Sequence, residues 1–160
     1  RWPRRAGSVM PQGVPSWLDA YLLYVMDALG LQVWVIEAVL TDAPNPEHPD
    51  ADATTYADAS YLVCRLQFRP ECVAEESVGA KVLAIHELLH VQEAARDAAL
   101  DEAVNHFVPK KHRPHAHETI RRANEERVVR LSRQLYSLLE PGWKRRKKEQ
   151  KKEQKKERDR

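Results

Sequence analysis

The longest proline-free stretch in the interior of this chain constrains its fold more than any other feature. Residues 73–104 contain no proline, and their apolar residues recur three or four positions apart. That spacing places the apolar side chains on one face of an α-helix. Pro70 and Pro109 border the stretch on its two sides. The sequence therefore predicts one long central helix, against which the other elements must pack.

The residues before this helix predict a shorter helix and a small sheet. Residues 16–29 have helical apolar spacing and are followed by Gly30, a typical C-cap residue. Residues 31–40 are rich in β-branched and aromatic residues and predict a strand. Residues 41–55 hold three prolines and many acidic residues, which predicts a loop. Residues 56–68 alternate in polarity, which is typical of one strand or of two antiparallel strands.

The residues after the central helix predict a loop and then a last helix. Residues 105–117 are polar and contain two prolines, which predicts the loop. Residues 118–139 predict the helix, closed by Pro141 and Gly142. The order helix, strands, helix, loop, helix indicates an α+β domain, with a small antiparallel or mixed sheet packed against the central and C-terminal helices. A chain of 160 residues is long enough for one such domain.

Composition divides the chain into three parts. Residues 1–15 are rich in proline, glycine and arginine without periodicity, which predicts a flexible leader before a domain at residues 16–140. Residues 141–160 hold 11 Lys or Arg and 4 Asp or Glu, which gives a net charge of +7. Because the net charge of the whole chain is +2, residues 1–140 carry a net charge of −5. The KKEQ repeat of this tail has no apolar face, and we expect a disordered or partly helical extension.

Composition also narrows the location and the partners. The chain has two cysteines and no secretory signal pattern, so we expect a cytoplasmic protein. No apolar run approaches the roughly 18 to 20 residues that span a bilayer, and we expect no membrane role. The basic tail can attract nucleic-acid phosphates, but its interleaved glutamates weaken that attraction and only Trp143 is available for base stacking. The sequence therefore disfavours nucleic-acid binding by residues 144–160.

The motif HELLH occupies residues 86–90 of the central helix. Residues four apart lie on one helix face, so His86 and His90 can present ring nitrogens to a single metal ion. A catalytic Zn²⁺ takes three protein ligands and keeps one position for water, whose pKa it lowers. Glu87 can reach that water and take its proton during attack on a carbonyl. The motif predicts a zinc-dependent hydrolytic centre, and its alternative is a pair of histidines that only pack in a helix.

The third zinc ligand must come from later in the chain. Positions 93 and 96 lack the glycine and histidine of the extended metzincin pattern, which excludes that class. On a helical wheel of the last helix, Glu125 borders the apolar face and Glu126 points to solvent. From the residues alone, Glu125 is either a metal ligand or a boundary glutamate bonded to an arginine such as Arg121. The further candidates by chemistry are His106, His112, His115, His117 and Glu118.

With these motifs the chain resembles the gluzincin type of zincin metallopeptidase, in the small single-domain form found in phages and bacterial mobile elements. The resemblance rests on VLAIHELLHV, on EERVVRLSRQL, and on ADASY before a strand, and it covers roughly residues 16–140. It implies a minimal zincin-like fold and a zinc metallopeptidase that acts on a peptide or protein substrate. By resemblance, His86, His90 and Glu125 bind zinc, with Glu126 as the alternative third ligand, and Glu87 is the general base.

Two questions stay open at the level of the sequence. The first is the group that stabilises the oxyanion, for which the candidates are His112, His115, His117 and Tyr136. The second is function itself. The main alternative to a peptidase is a non-catalytic zinc-binding protein of zincin fold whose basic tail contacts nucleic acid or a partner protein. A metal-free helical packing protein is the remaining alternative.

Overall fold

The computed structural model describes residues 9–158 and arranges them around a four-stranded mixed sheet. The strand order is β1-β2-β4-β3, in which β1, β2 and β4 are parallel and β3 is antiparallel to β4. The predicted α+β class with a small mixed sheet beside the central helix is confirmed. In chain order the elements are β1 (Val9–Gln12), α1 (Ser16–Leu29), β2 (Val35–Leu40), β3 (Ala53–Asp58), β4 (Val63–Phe68), α2 (Pro70–Val73), α3 (Val78–Phe107), a 3-10 turn (Lys110–His112) and α4 (Arg113–Arg158).

One face of the sheet is apolar and shares a single core with α1 and α3. The predicted alternation along residues 56–68 is confirmed, and it belongs to two antiparallel strands, β3 and β4. They are separated by a turn in which Leu62 has a φ of 53°. On the other face the Arg65 guanidinium donates to Glu37 at 2.6 Å. The buried side chains of β2 and β4 are Ile36, Ala38, Cys64, Leu66 and Phe68.

The boundaries of the first and central helices follow local capping chemistry. α1 ends at Gly30, whose φ of 72° is the left-handed conformation that glycine adopts readily. α3 begins after Ser77, whose side chain accepts a hydrogen bond from the N–H of Ala80 at 3.0 Å. The central helix therefore starts five residues later than predicted, and residues 70–73 form the separate short helix α2.

The predicted loop over residues 105–117 is wrong, because most of it is helical. α3 continues to Phe107 and α4 begins at Arg113, with a 3-10 turn between them. The polar residues of this segment lie on exposed helix surfaces. α3 and α4 run antiparallel, as shown by contacts between Lys81 and Glu140 at one end and between Asp101 and His117 at the other.

The predicted helix end at Pro141 and Gly142 is also wrong, because α4 passes through both residues. An internal proline costs about 3 kcal/mol, so tertiary contacts must offset it. Trp143 is buried, and its indole N–H donates to Glu76 at 2.9 Å. Gly142 lies so close to Tyr24 of α1 that a Cβ there would collide with the tyrosine hydroxyl. The domain core therefore extends beyond the predicted boundary at residue 140.

The two ends of the chain also differ from expectation. The predicted leader is wrong for Val9–Gln12, which pair with β2 as the edge strand β1. The strand is short and contains Pro11, which an edge strand tolerates, so no periodicity revealed it. Residues 1–8 of that leader lie outside the described residues. The basic tail is helical as far as Arg158. No helix within residues 9–158 is both long enough and apolar enough to cross a membrane.

Candidate metal centre

Two histidines and a glutamate converge where α4 crosses α3. His86 and His90 lie one turn apart on α3, and their Nε2 atoms are 3.1 Å apart. Glu125 of α4 faces both rings, with Oε1 3.3 Å from Nε2 of His86 and Oε2 3.4 Å from Nε2 of His90. Within residues 9–158 this is the one group of three or more metal-ligating side chains whose donor atoms all lie within 4.8 Å of one another. We refer to it as the His-Glu cluster.

Contacts of the preceding residue set the direction of Glu125. The Asn124 amide donates to Asp97 at 2.7 Å and accepts a hydrogen bond from Arg96 at 2.6 Å. Both partners lie on α3, so they restrict rotation of α4 about its own axis at this point. Glu126 points away, is 71% exposed and pairs with an arginine of its own helix. The predicted wheel positions of Glu125 and Glu126 are confirmed.

The spacing of the three donor groups suits a zinc ion. Ligands held tetrahedrally about 2.0 to 2.1 Å from zinc lie about 3.3 to 3.4 Å from one another. In the His-Glu cluster the two imidazole nitrogens are 3.1 Å apart, and each lies 3.3 or 3.4 Å from a different oxygen of the Glu125 carboxylate. Two imidazole nitrogens and one carboxylate oxygen are also a ligand set that zinc accepts, with a fourth position left for water or substrate. These side chains can therefore hold zinc.

The electrostatics of the cluster favour an added positive charge. Hydrogen bonding to His86 and His90 holds the pKa of Glu125 well below its usual range, although partial burial acts in the opposite direction. Burial lowers the pKa of His90, but its bond to Glu125 and the nearby carboxylates outweigh this effect and raise the pKa overall. A carboxylate that stays ionised against two imidazoles attracts either a proton onto a ring or a metal cation.

Glu87 is the buried acid beside the cluster. It is 4% exposed, and its Oε2 accepts a hydrogen bond from the Thr55 hydroxyl at 2.6 Å. Burial raises the pKa of Glu87, and this effect outweighs the Thr55 hydrogen bond and the nearby imidazoles, which lower the pKa. Such a carboxylate is suited to take up a proton and release it again.

Thr55 is the site residue that sequence reasoning missed. It lies on β3, 32 residues before Glu87, and the sequence assigned it to the loop at residues 41–55. Its hydroxyl is also 3.1 Å from the backbone oxygen of Glu87, so it contacts α3 at two atoms. No local pattern in the sequence marks this contact, because it joins two elements that meet only in the folded chain.

The His-Glu cluster and Glu87 line an open groove of about 700 Å³. The edge strand β3 lines the same groove, and the preceding loop contributes Asn45 and His48. A second cavity of about 550 Å³ shares His86 with the groove and reaches α4 at Val129. The cluster therefore borders cavities on two sides.

The other candidate residues named from the sequence lie outside the cluster. His106, His112 and His115 are exposed, and the exposed Glu118 pairs with an arginine of its own helix. His117 lines a cavity that also contains His90 and Glu125, and its Nδ1 is 2.9 Å from Asp101. Tyr136 packs against the core. Of the four oxyanion candidates, none lines the groove beside Glu87.

Comparison of the chain with protein-family models, with curated proteins and with solved structures finds no significant match.

Proposed function

We propose that this chain is a zinc metallopeptidase of the gluzincin type, with His86, His90 and Glu125 as the zinc ligands and Glu87 as the general base. The observation that carries the proposal is the spacing of 3.1 to 3.4 Å among the three donor groups. Chance packing of two histidines does not require a carboxylate from another helix to face both rings. The resemblance of HELLH to the zincin motif supports the same assignment.

The reaction divides between the metal and the side chains of this chain. When bound, zinc would lower the pKa of a water molecule and polarise a peptide carbonyl. Glu87 accepts the proton of the attacking water at a carboxylate oxygen and then delivers it to the leaving amine. Thr55 holds that carboxylate in place through its hydrogen bond of 2.6 Å.

The openness of the site favours a catalytic role over a structural one. A structural zinc site is closed by four protein ligands, whereas a catalytic site keeps one position free. The His-Glu cluster offers three ligands, and it opens to a groove of about 700 Å³ that also contains Glu87. This arrangement supports the peptidase proposal over the alternative of a non-catalytic zinc-binding protein.

The edge strand supports an extended peptide as the substrate. β3 pairs with β4 on one side alone, and within residues 9–158 no further backbone segment hydrogen-bonds to its outer side. A peptide in extended conformation can pair with such an edge through its own backbone groups, independently of its sequence. Because Thr55 of β3 also touches Glu87, a peptide on this edge lies beside the general base.

Metal analysis of the protein purified without added metal tests the ligand set. We expect about one zinc per chain in the wild type, and loss of zinc in His86→Ala and in Glu125→Ala. Glu126→Ala is the matched control, because it removes a glutamate from the same helix turn and should keep the zinc. Absence of zinc from the wild type, or its retention in Glu125→Ala, contradicts the proposed site.

Peptide cleavage by wild type and Glu87→Gln tests the reaction. Removal of a general base lowers turnover by about 10² to 10⁴-fold, and Gln keeps the shape of the side chain. We expect that loss of activity with an unchanged zinc content. A zinc-loaded wild type that cleaves no member of a broad peptide library favours the non-catalytic alternative instead.

A further inference from the structure

The C-terminal part of α4 is attached firmly to the domain and then leaves it. Trp143 packs edge-on against Tyr21, with ring centroids 5.1 Å apart. Within residues 9–158, Lys147 is the last residue that bonds to the body of the domain, through its ammonium group and the carboxylate of Glu76. Residues 148–158 continue the helix beyond Lys147. We call residues 148–158 the charged arm; it extends about 16 Å beyond Lys147 at about 1.5 Å per residue.

Helical geometry places part of the basic charge of the tail opposite its glutamates. At about 100° per residue, five basic side chains fall within an arc of about 80°. Three glutamates, Glu149, Glu153 and Glu157, fall within an equal arc on the opposite side. These five basic residues, which we call the basic row, are Lys144, Lys148, Lys151, Lys155 and Arg158, whereas Arg146 and Lys156 lie on the side of the glutamates.

The basic row is free to meet an outside partner. All five of its side chains are exposed. Lys144 pairs with Glu140 at 3.4 Å, and the four others form no ion pair within the described part of the chain. Unpaired charges in a row, with the acidic charges turned away, create a local positive potential that exceeds what the composition of the tail implies.

We propose that the basic row binds the phosphate backbone of duplex nucleic acid. Phosphates are regularly spaced anions on a stiff scaffold, which suits cations held on a stiff helix about 21 Å long from Lys144 to Arg158. A helix is also narrow enough to enter a major groove about 12 Å wide. The interleaved glutamates, which disfavoured this partner at the level of sequence, face away from the duplex in the folded chain.

The composition of the arm argues against two other anionic partners. Residues 148–158 contain no apolar or aromatic residue, so the arm has nothing to insert into a lipid bilayer. Trp143, the one aromatic residue of the tail, is buried in the core and cannot stack on the bases of a single strand. Recognition by charge alone, without sequence preference, is therefore the expected mode.

Fluorescence anisotropy of the full-length chain with a labelled duplex of 20 base pairs tests the proposal. About five phosphate contacts predict that binding weakens by about 10² to 10³-fold between 50 and 200 mM salt. The combined change Lys148→Gln, Lys151→Gln and Lys155→Gln should weaken binding by at least about tenfold at 100 mM salt. Circular dichroism checks that each variant remains folded.

A charge exchange provides the matched control. Lys151→Glu combined with Glu153→Lys leaves composition and net charge unchanged, but it puts a glutamate into the basic row. We expect this exchange to weaken duplex binding by about tenfold, and Glu149→Gln with Glu157→Gln to strengthen it. Unchanged binding by the exchanged variant would show that net charge alone is responsible and would overturn the assignment of the row.

Two further results would also overturn the proposal. One is the absence of wild-type binding at 50 mM salt. The other is tighter binding to vesicles of 30% phosphatidylserine than to the duplex, which would assign the arm to a membrane surface. The inference does not depend on the proposed peptidase, because the basic row shares no residue with the His-Glu cluster or Glu87. Glu87→Gln and zinc chelation should therefore leave duplex binding unchanged.

Discussion

α3 and α4 hold two charged clusters that are built on different principles. In the first, Lys81 of α3 lies 3.0 Å from Glu140 and 3.1 Å from Glu76, and both lysine and Glu140 are buried. In the second, His86 and His90 face Glu125, which is 49% exposed. We call the first the lysine cluster. It contains its own permanent cation, whereas the His-Glu cluster contains none.

The difference indicates what each cluster can do. Buried carboxylates are stable only when they are paired, and the lysine cluster pairs its acids within the chain. The His-Glu cluster has no permanently charged cation, so its carboxylate is complemented fully only by an added proton or metal ion. A complete cluster joins two helices, and an incomplete one, open to a groove, is suited to bind.

The largest predicted difference between the two clusters is the effect of zinc on the free energy of unfolding. If the His-Glu cluster binds zinc only in the folded state, zinc at about a thousand times its Kd stabilises the fold by about 4 kcal/mol. Denaturant unfolding with zinc and with a chelator measures this increment. We expect it to vanish in His86→Ala and to persist in Lys81→Met. An equal increment in His86→Ala would place the zinc elsewhere.

Replacement of Lys81 should lower the free energy of unfolding by nearly as much as zinc raises it. Lys81→Met leaves Glu140 buried without its main partner, and breaking a buried pair costs about 3 kcal/mol or more. Denaturant unfolding of the zinc-free protein measures the loss. Lys147→Met is the control, because that side chain is 38% exposed and its pair with Glu76 should contribute less than about 1 kcal/mol. A small effect of Lys81→Met would mean that the two acids are satisfied in another way.

Acid should weaken the lysine cluster through Glu76. Partial burial raises the pKa of this carboxyl, but hydrogen bonds from Lys147, Trp143 and Lys81 outweigh it and lower the pKa from 4.5 to about 2. A lowered pKa in the folded state contributes stability above the unfolded value near 4.5, and this contribution is lost as the pH falls toward 2.

We expect about 2 kcal/mol from Glu76, less than the full shift implies because the group is partly hydrated. Unfolding of wild type and Glu76→Gln between pH 7 and pH 2 measures it. The variant should be less stable at pH 7 and should lose less stability on acidification. Parallel curves for the two proteins would exclude Glu76 as the source.

The smallest predicted effect concerns Thr55 and depends on the proposed peptidase. Thr55→Val removes the hydroxyl that holds the Glu87 carboxylate but keeps the shape of the side chain. We expect kcat to fall about tenfold with little change in KM, because a hydrogen bond to a charged group is worth about 1.5 to 3 kcal/mol. Thr55→Ser should restore most of the activity. Loss of activity through KM alone would indicate a contact with substrate instead.

Features that depend on neighbouring residues in the chain were predictable. The central helix, the C-cap at Gly30 and the opposite directions of Glu125 and Glu126 all follow from helical periodicity. The approach of Glu125 to the two histidines was predicted only as one of several choices. It depends on how α4 crosses α3, and Asn124 contributes to that geometry through contacts with Asp97 and Arg96.

Features that depend on contacts between distant segments were missed. β1 forms by pairing with the edge of β2. α4 continues past Pro141 because Trp143 and Lys147 bond to Glu76, which is distant in the chain. Local rules end a helix at proline and glycine, yet tertiary contacts worth several kcal/mol override such preferences.

The sequence by itself determined which residue types lie one helical turn apart: the two histidines with Glu87 between them, and the basic residues of the tail. Only the tertiary structure decided which of these rows contacts side chains from other parts of the chain. It brought Glu125 and Thr55 to the histidine helix, and it anchored the tail at Trp143, beyond which residues 148–158 are exposed. Helical periodicity is a property of adjacent residues, whereas the meeting of two elements depends on the burial of the whole core.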